Sequence, residues 1–250
     1  MGRTLKREFM TPDVMDELRY LLTSTADILE DALIDYWLDR GVLLGAHRSG
    51  DLIPGDDDID LRVMHTDWQA IESVLQTGLP SDLRVSVLHH SRVINDADEN
   101  HPYRWFANND GEFPIASIEG DSNGIRFHTA TALAVHFKDR QWDHKPNLDL
   151  YSCRINQHHD CTPACLSEPW KDDDRQYLCL PSSSPTSGVV PMDYVFPLGH
   201  ITLAGRNYPA PGRLMEYLHH LFGYIGEDAF FDEDIRRWVK STDGSGVIVE

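Results

Sequence analysis

Asp56, Asp57, Asp58 and Asp60 set four carboxylates within five residues, and the chain runs straight on through Leu61, Arg62, Val63 and Met64. Like charges at this density repel one another, and burying them unpaired is costly. Yet the segment alternates as a half-buried strand does. Ile59, Leu61 and Val63 point one way, while Asp58, Asp60 and Arg62 point the other. The carboxylates at 58 and 60 therefore share one sheet face. Oxygen ligands spaced this way suit one or two Mg²⁺ (or Mn²⁺) ions. A third carboxylate on a neighbouring strand completes such a site. The candidate by pattern is Asp149, in the second short alternation Asn-Leu-Asp-Leu-Tyr-Ser-Cys of residues 147–153. Three carboxylates with a divalent ion suit phosphoryl or nucleotidyl transfer, because the metal bridges phosphate oxygens and steadies the attacking and leaving groups.

Two other readings of the cluster stand beside this one. An exposed acidic turn leading into a strand needs no ion. In a calcium loop Asp56, Asp58 and Asp60 would fill positions 1, 3 and 5, with Asp67 at position 12, but Leu61 stands where the sharp turn demands glycine.

The rest of the chain reads as mixed helices and strands, hence an α+β or α/β domain. Leu18, Leu21, Leu22, Ala26, Leu29, Leu33 and Trp37 recur at helical spacing. They predict one helix from Pro12, capped by Thr11 or Asp13, to Arg40–Gly41. Val42–Leu44 then runs into a turn at Gly45, and the next segment is loop, punctuated by Gly50, Pro54 and Gly55. Further on, residues 68–79 and 213–223 read as helices, and 232–240 as a last short one. Strands are expected at 83–90, 91–96, 124–137 and 147–153, and a hairpin at 195–212. The expectation is a single catalytic domain over 1–250, with an irregular Cys-containing insertion at 152–190.

The charge narrows the partners. With 41 acidic against 22 basic side chains the formal charge is −19, which argues against attraction to bare nucleic acid or an anionic membrane. No apolar run approaches the ~20 residues of a membrane span. The N-terminus has no apolar signal-peptide core, and Lys6 stands where a myristoylation pattern needs Ser or Thr. A soluble, cytoplasmic protein is the expectation; a trimmed lumenal domain would look the same.

The run Tyr-Trp-Leu-Asp-Arg-Gly-Val-Leu-Leu-Gly-Ala-His-Arg-Ser-Gly-Asp-Leu-Ile-Pro-Gly-Asp-Asp-Asp-Ile-Asp-Leu, residues 36–61, resembles the signature of the LicD/fukutin group of the nucleotidyltransferase superfamily. That signature is an aromatic-Leu-Asp-Gly-Gly-Thr-Leu-Leu-Gly-Ala-x-Arg run leading to Ile-Pro-Trp-Asp-Asp-Asp-Ile-Asp. Residues 194–223 resemble the family's C-terminal Phe-Pro-Leu…Gly…Pro-x-Pro…Tyr-Leu…Tyr-Gly segment. The resemblance implies a nucleotidyltransferase-type mixed sheet flanked by helices. It implies an enzyme that moves a phospho-alcohol unit, phosphocholine or a polyol phosphate, from a CDP-activated donor to a glycan or other hydroxyl acceptor. By motif, Asp58 and Asp60 are metal ligands, and Asp56 is a further ligand or their neighbour. Asp149 is the third strand carboxylate and the acceptor of the hydroxyl proton. Gly45 lets the donor phosphates approach the backbone, Arg48 neutralises a phosphate oxygen, and His47 faces the donor pocket. The chain departs from the signature at four places. Arg40 replaces one of the paired glycines, Val42 the Thr and Gly55 the Trp, and Ala46 stands at the second position of the superfamily's Gly-Gly/Ser element. Transfer of a nucleotide itself, and a non-catalytic acidic metal-binding module, are the competing readings.

All four cysteines, Cys153, Cys161, Cys165 and Cys179, fall in one short segment. Cys161 and Cys165 have zinc-knuckle spacing, and Cys153, Cys179 and His158 or His159 offer further ligands for a structural Zn²⁺. Two disulfides and four free thiols are the alternatives. Tyr194, Phe196 and Tyr217 are expected in the core rather than stacked on a nucleobase.

Overall fold

The computed structural model describes residues 12–64, 68–94, 115–121, 124–140, 146–157, 175–179, 189–226, 229–232 and 237–240. Helix α1 (Pro12–Asp31) opens the fold and buries Leu18, Leu21, Leu22, Ala26 and Leu29. It ends nine residues earlier than its apolar stripe suggests. Leu33 sits in left-handed backbone, φ 55°, and is 91% exposed, so it does not continue that stripe. Tyr36–Asp39 instead forms strand β1, buried on both faces, where the aromatic side chains suit a pleated surface. Helix α2 (Arg40–Ser49) follows at once. Gly45 lies inside this helix and does not turn the chain; the helix ends at Gly50, φ 71°, in the left-handed conformation that glycine takes at no steric cost.

Strand β2 (Asp58–Met64) starts inside the acidic run, with Ile59, Leu61 and Val63 fully buried as the alternation requires. Helix α3 (Trp68–Gly78) leads to β3 (Leu83–Ile94), one long strand with a register shift at Leu88/His89 where two were expected. Then come β4 (Ile115–Asp121), β5 (Gly124–Phe137) and β6 (Asn147–Gln157). Strands β7 (Gln176–Cys179) and β8 (Val189–Pro191) extend the same sheet from β6. The sheet is mixed. Its order is β1-β2-β6-β5-β3, with β2 and β6 parallel and the other pairs antiparallel. Within the segment 152–190 expected to be irregular, β6 to Gln157, β7 and the start of β8 are strand, and residues 158–174 and 180–188 lie outside the described residues.

Helix α4 (Met192–Val195) precedes the hairpin β9 (Gly199–Leu203) and β10 (Arg206–Ala210), which turns through Ala204 and Gly205 at φ 49° and 83°. Two consecutive positive φ values are what a tight two-residue hairpin turn uses. Helix α5 (Leu214–Phe222) packs against α4 and α2. Of the segment expected as a last helix, the described residues are strand instead: Arg237–Lys240 forms β12, which pairs antiparallel with β11 (Ala229–Asp232). Phe230, Phe231, Trp238 and Val239 are strand formers, and their pairing outweighs the local helical pattern.

Helix α1 packs beside α3 and over β2, β5 and β6. Its leucines join Ile59, Leu61, Leu148 and Leu150 in one continuous core. An α+β protein with a mixed sheet flanked by helices is therefore what the chain forms. No described helix is long and apolar enough to cross a membrane.

Candidate active site

Register, more than any single residue, builds the site. Asp39 of β1 pairs with Asp60 of β2, and Asp60 pairs with Asp149 of β6. Asp58 pairs with Asn147, and Arg62 with Tyr151. Paired residues on neighbouring strands project from the same face. The face opposite the leucine core thus carries three carboxylates abreast, with Asp58 and Asn147 one step along the strands.

The three central carboxylates are held differently. Asp39 is fully buried and saturated. Its Oδ2 accepts from Arg62 Nε at 3.0 Å and Nη2 at 2.6 Å, and its Oδ1 accepts from the Tyr217 hydroxyl at 2.6 Å. Burial pushes its pKa up, but the Arg62 and Arg40 charges and these hydrogen bonds pull harder, so it stays ionised below the usual carboxylate range. The same partnership raises Arg62: burial disfavours the guanidinium, and Asp39 more than offsets that. Tyr217 is driven well above a normal phenol by burial and then by the Asp39 charge.

Asp149, buried at the base of the face, is oriented by its own strand. Asn147 Nδ2 donates to Oδ1 at 2.6 Å and the Tyr151 hydroxyl to Oδ2 at 3.4 Å. Since the Asn147 nitrogen faces a carboxylate, its Oδ1 must face the other way. That oxygen is buried and has no hydrogen-bond partner among the described residues. Asp60 carries the strain of the site. Burial raises its pKa well above the carboxylate range, and the Asp58, Asp39 and Asp149 charges raise it further against the opposing pull of Arg40. Asp56, Asp57 and Asp58 form a second convergence at the mouth, with an oxygen of each within 4.8 Å of the others.

A hard divalent cation fits this donor set. Hard ions take carboxylate and amide oxygens. Asn147 Oδ1 is a buried acceptor in want of a partner, and Asp60 is a carboxylate whose ionisation calls for positive charge. The calcium-loop reading fits less well, because Asp58 and Asp60 belong to a paired strand.

The glycines of the motif work by close packing. A Cβ on Gly41 would collide with the Asp56 carboxylate, so this glycine lets Asp56 sit against the first turn of α2, where the helix dipole favours an anion. A Cβ on Gly45 would stand 2.6 Å from the Asp51 carbonyl oxygen and 3.0 Å from the Ile53 nitrogen. The close approach that Gly45 permits in this structure is that of the 51–53 backbone. Arg48, at the far end of α2, donates from Nε and Nη2 to the carbonyls of Ile225 and Gly226, both at 3.0 Å. His47 beside it is half-buried. Arg48 and His47 thus lie at the opposite end of α2 from Asp39 and Arg40.

Cys153 is buried in the core, with a free thiol that contacts Met64 Sδ at 3.6 Å; burial pushes its pKa up to about 12. Cys161, Cys165, His158 and His159 lie outside the described residues, as does the side chain of Cys179. The backbone of Cys179 pairs with Arg154, the residue after Cys153. Tyr217 is buried, and Phe196 meets Trp37 edge-on at 5.6 Å, as expected of core aromatics.

Sequence reasoning missed Asp39, Arg62, Asn147, Tyr151 and Tyr217. Asn147 sits two residues before Asp149 on an alternating strand and was findable by that spacing. The triad of Asp39, Arg62 and Tyr217 joins segments far apart in the chain, and no local pattern links them.

Comparison with known proteins finds relatives over part of the chain. Residues 33–145 match the model of the LicD/FKTN/FKRP nucleotidyltransferase domain. Over 58 residues the chain is 40% identical to uncharacterized protein RP689 of Rickettsia prowazekii (strain Madrid E), which is 23% of this chain and 22% of that protein. Over 52 residues it is 44% identical to the ribitol 5-phosphate transferase FKRP of Homo sapiens, covering 21% of this chain and 10% of FKRP. The alignments thus take in about a fifth or less of these relatives' length. The matched domain holds Asp39, Asp58 and Asp60, and Asp149 lies just past it, brought in by the β2–β6 register. Over residues 33–145, then, the chain is similar to the LicD/FKTN/FKRP nucleotidyltransferase domain.

Proposed function

We propose that the chain is a divalent-metal-dependent phosphotransferase of nucleotidyltransferase type. It moves a phospho-alcohol unit from a CDP-activated donor to a hydroxyl of a glycan or other acceptor, with CMP as the leaving product. One observation carries this reading: the pairing of Asp58 and Asp60 with Asn147 and Asp149 on two parallel strands, in a chain similar over part of its length to a ribitol 5-phosphate transferase.

Asp58, Asp60 and Asp149 are the ligands for Mg²⁺ or Mn²⁺, with Asn147 Oδ1 beside them and Asp56 at the mouth. When bound, the ion neutralises charge on the donor phosphates and on the leaving CMP. Asp149 takes the proton of the attacking hydroxyl, held in place by Asn147 and Tyr151. The acceptor oxygen forms a bond to the alcohol-bearing phosphorus as the bond from that phosphorus to the CMP oxygen breaks. Asp39 acts by holding Arg62 and Tyr217, which fix β1 and α5 to the site. Gly45 keeps α2 seated on the 51–53 loop. His47 and Arg48 line the donor side in this reading, on the strength of the family motif.

A donor panel tests the proposal. Protein with Mg²⁺ is mixed with CDP-choline, CDP-ethanolamine, CDP-glycerol, CDP-ribitol, CTP or ATP, and thermal shift and CMP release are followed together. Stabilisation or CMP release with one CDP-alcohol, lost in Asp58→Asn, is the expected result. Response to CTP or ATP alone would point to nucleotide transfer. Mn²⁺ binding with no response to any donor would favour the non-catalytic metal module.

A further inference from the structure

Arg40 stands out on two counts. It is the first residue of α2, and its backbone lies in the left-handed region at φ 49°, which costs a side-chain-bearing residue energy that glycine avoids. It also projects into the carboxylate face. Its guanidinium carbon lies 5.7 Å from the centroid of the Tyr151 ring, and Tyr151 in turn donates to Asp149. Its charge acts on both Asp60 and Asp39. Arg62 has its own carboxylate and contacts the same ring at 5.4 Å. Arg40, by contrast, makes no ion pair among the described residues. A guanidinium held over an aromatic ring keeps its N–H edge available, and that edge matches phosphate oxygens in pairs.

We propose that Arg40 is the phosphate-binding cation of this site. It stands in for a second metal ion and holds a donor phosphate beside a single divalent ion on Asp58, Asp60 and Asp149. The strained backbone fits this role: the position accepts the cost of a left-handed arginine and gains a fixed positive charge at the mouth of the acidic face. Site selectivity follows. A resident cation repels a second divalent ion but attracts the oxygens of a diphosphate, so the occupant is the diphosphate of a nucleotide-activated donor with its single metal.

The inference rests on the metal-site reading, and the experiment separates the two. Mn²⁺ binding is measured by electron paramagnetic resonance, and pyrophosphate binding by calorimetry at saturating Mn²⁺, for the native protein, Arg40→Gly, Arg40→Lys and Asp58→Asn. The native protein should bind a single Mn²⁺ and bind pyrophosphate on top of it. Arg40→Gly should lose about tenfold in pyrophosphate affinity and gain a second Mn²⁺ when pyrophosphate is present. Arg40→Lys keeps the charge but not the paired N–H edge or the ring stacking, so it should lose affinity, though less than Arg40→Gly. Glycine suits φ 49°, but the variant also loses a charge that offsets the carboxylates, so its folding is checked at saturating Mn²⁺, where it should melt close to the native protein. If Arg40→Gly binds Mn²⁺ and pyrophosphate as the native chain does, Arg40 is not the phosphate cation and the metal site stands. If the native chain binds no Mn²⁺, or Asp58→Asn binds it equally well, the metal site fails and the Arg40 role with it.

Discussion

Asp60→Asn should make the metal-free protein more stable and the metal-loaded protein less so. Asp60 stands between Asp39 and Asp149 on adjacent strands, with Asp58 two residues away on the same face. Neighbouring strands run about 4.8 Å apart, so these carboxylates are near neighbours. Two unit charges about 6 Å apart at an effective dielectric of about 20 repel by roughly 3 kcal/mol. Arg40 offsets part of this, partial protonation of Asp60 relieves more, and water at the half-buried carboxylate screens the rest. A net gain of about 1 to 2 kcal/mol on removing the charge is the reasonable expectation. For a chain of this size that corresponds to a rise of roughly 2 to 8 °C in Tm. The metal reverses the sign. A ligand at about a hundred times its Kd stabilises the native state by about 2.7 kcal/mol, and the variant forfeits most of that. Melting curves of both proteins in EDTA and in a Mn²⁺ series should therefore cross. A variant that melts below the native chain in EDTA, or that keeps the native Mn²⁺ shift, would refute the electrostatic account of this face.

Four further outcomes follow from the same structure. Tyr217→Phe removes a hydrogen bond to a buried carboxylate and should cost roughly 1.5 to 3 kcal/mol in denaturant unfolding; Arg62→Met should cost about 3 to 5 kcal/mol, much of it recovered by adding Asp39→Asn. His136 is buried, with Nδ1 donating to the Phe137 carbonyl and Nε2 accepting from Ser86, and burial lowers its pKa. The unfolded chain therefore takes up a proton at higher pH than the native chain does. Stability from this group is present above the usual histidine range and lost as pH falls from there towards the lowered folded value, a slope that His136→Gln should flatten in Tm-against-pH curves. Cys153, buried with its pKa near 12, should resist iodoacetamide in the native protein at pH 8 and react once unfolded, as read by peptide mass mapping.

Much of this site is legible in the chain because strands advertise their faces. The alternation through Asp58–Val63 identifies β2 and its carboxylate face, and the same alternation at Asn147–Cys153 identifies the partner strand. Their register is a tertiary fact, set by the packing of both inner faces on α1, and periodicity alone carries no trace of it. The break between α1 and β1 escapes the reading for a different reason. Leu33 and Trp37 fall on the helical stripe, yet Leu33 lies in left-handed backbone out in solvent, and Trp37 is buried because β1 has cover on both faces. A strand buried on both sides shows no period, so its aromatic residues extend the helical stripe before it. Gly45 is ambiguous in a similar way: a glycine that serves close packing looks, in sequence, like one that serves a turn. Arg40 shows what a departure from a family pattern can convey, since the structure places it in a backbone conformation made for the glycine it replaces.

The central claim is that Asp58, Asp60 and Asp149 hold one divalent ion. Anomalous diffraction at the manganese edge from crystals grown with Mn²⁺ addresses it most directly. The account predicts a peak bridging β2 and β6, within coordination distance of Asp60 and Asp149 and close to Asn147 Oδ1. No peak on that face, or one confined to Asp56 and Asp57 at the mouth, would contradict it.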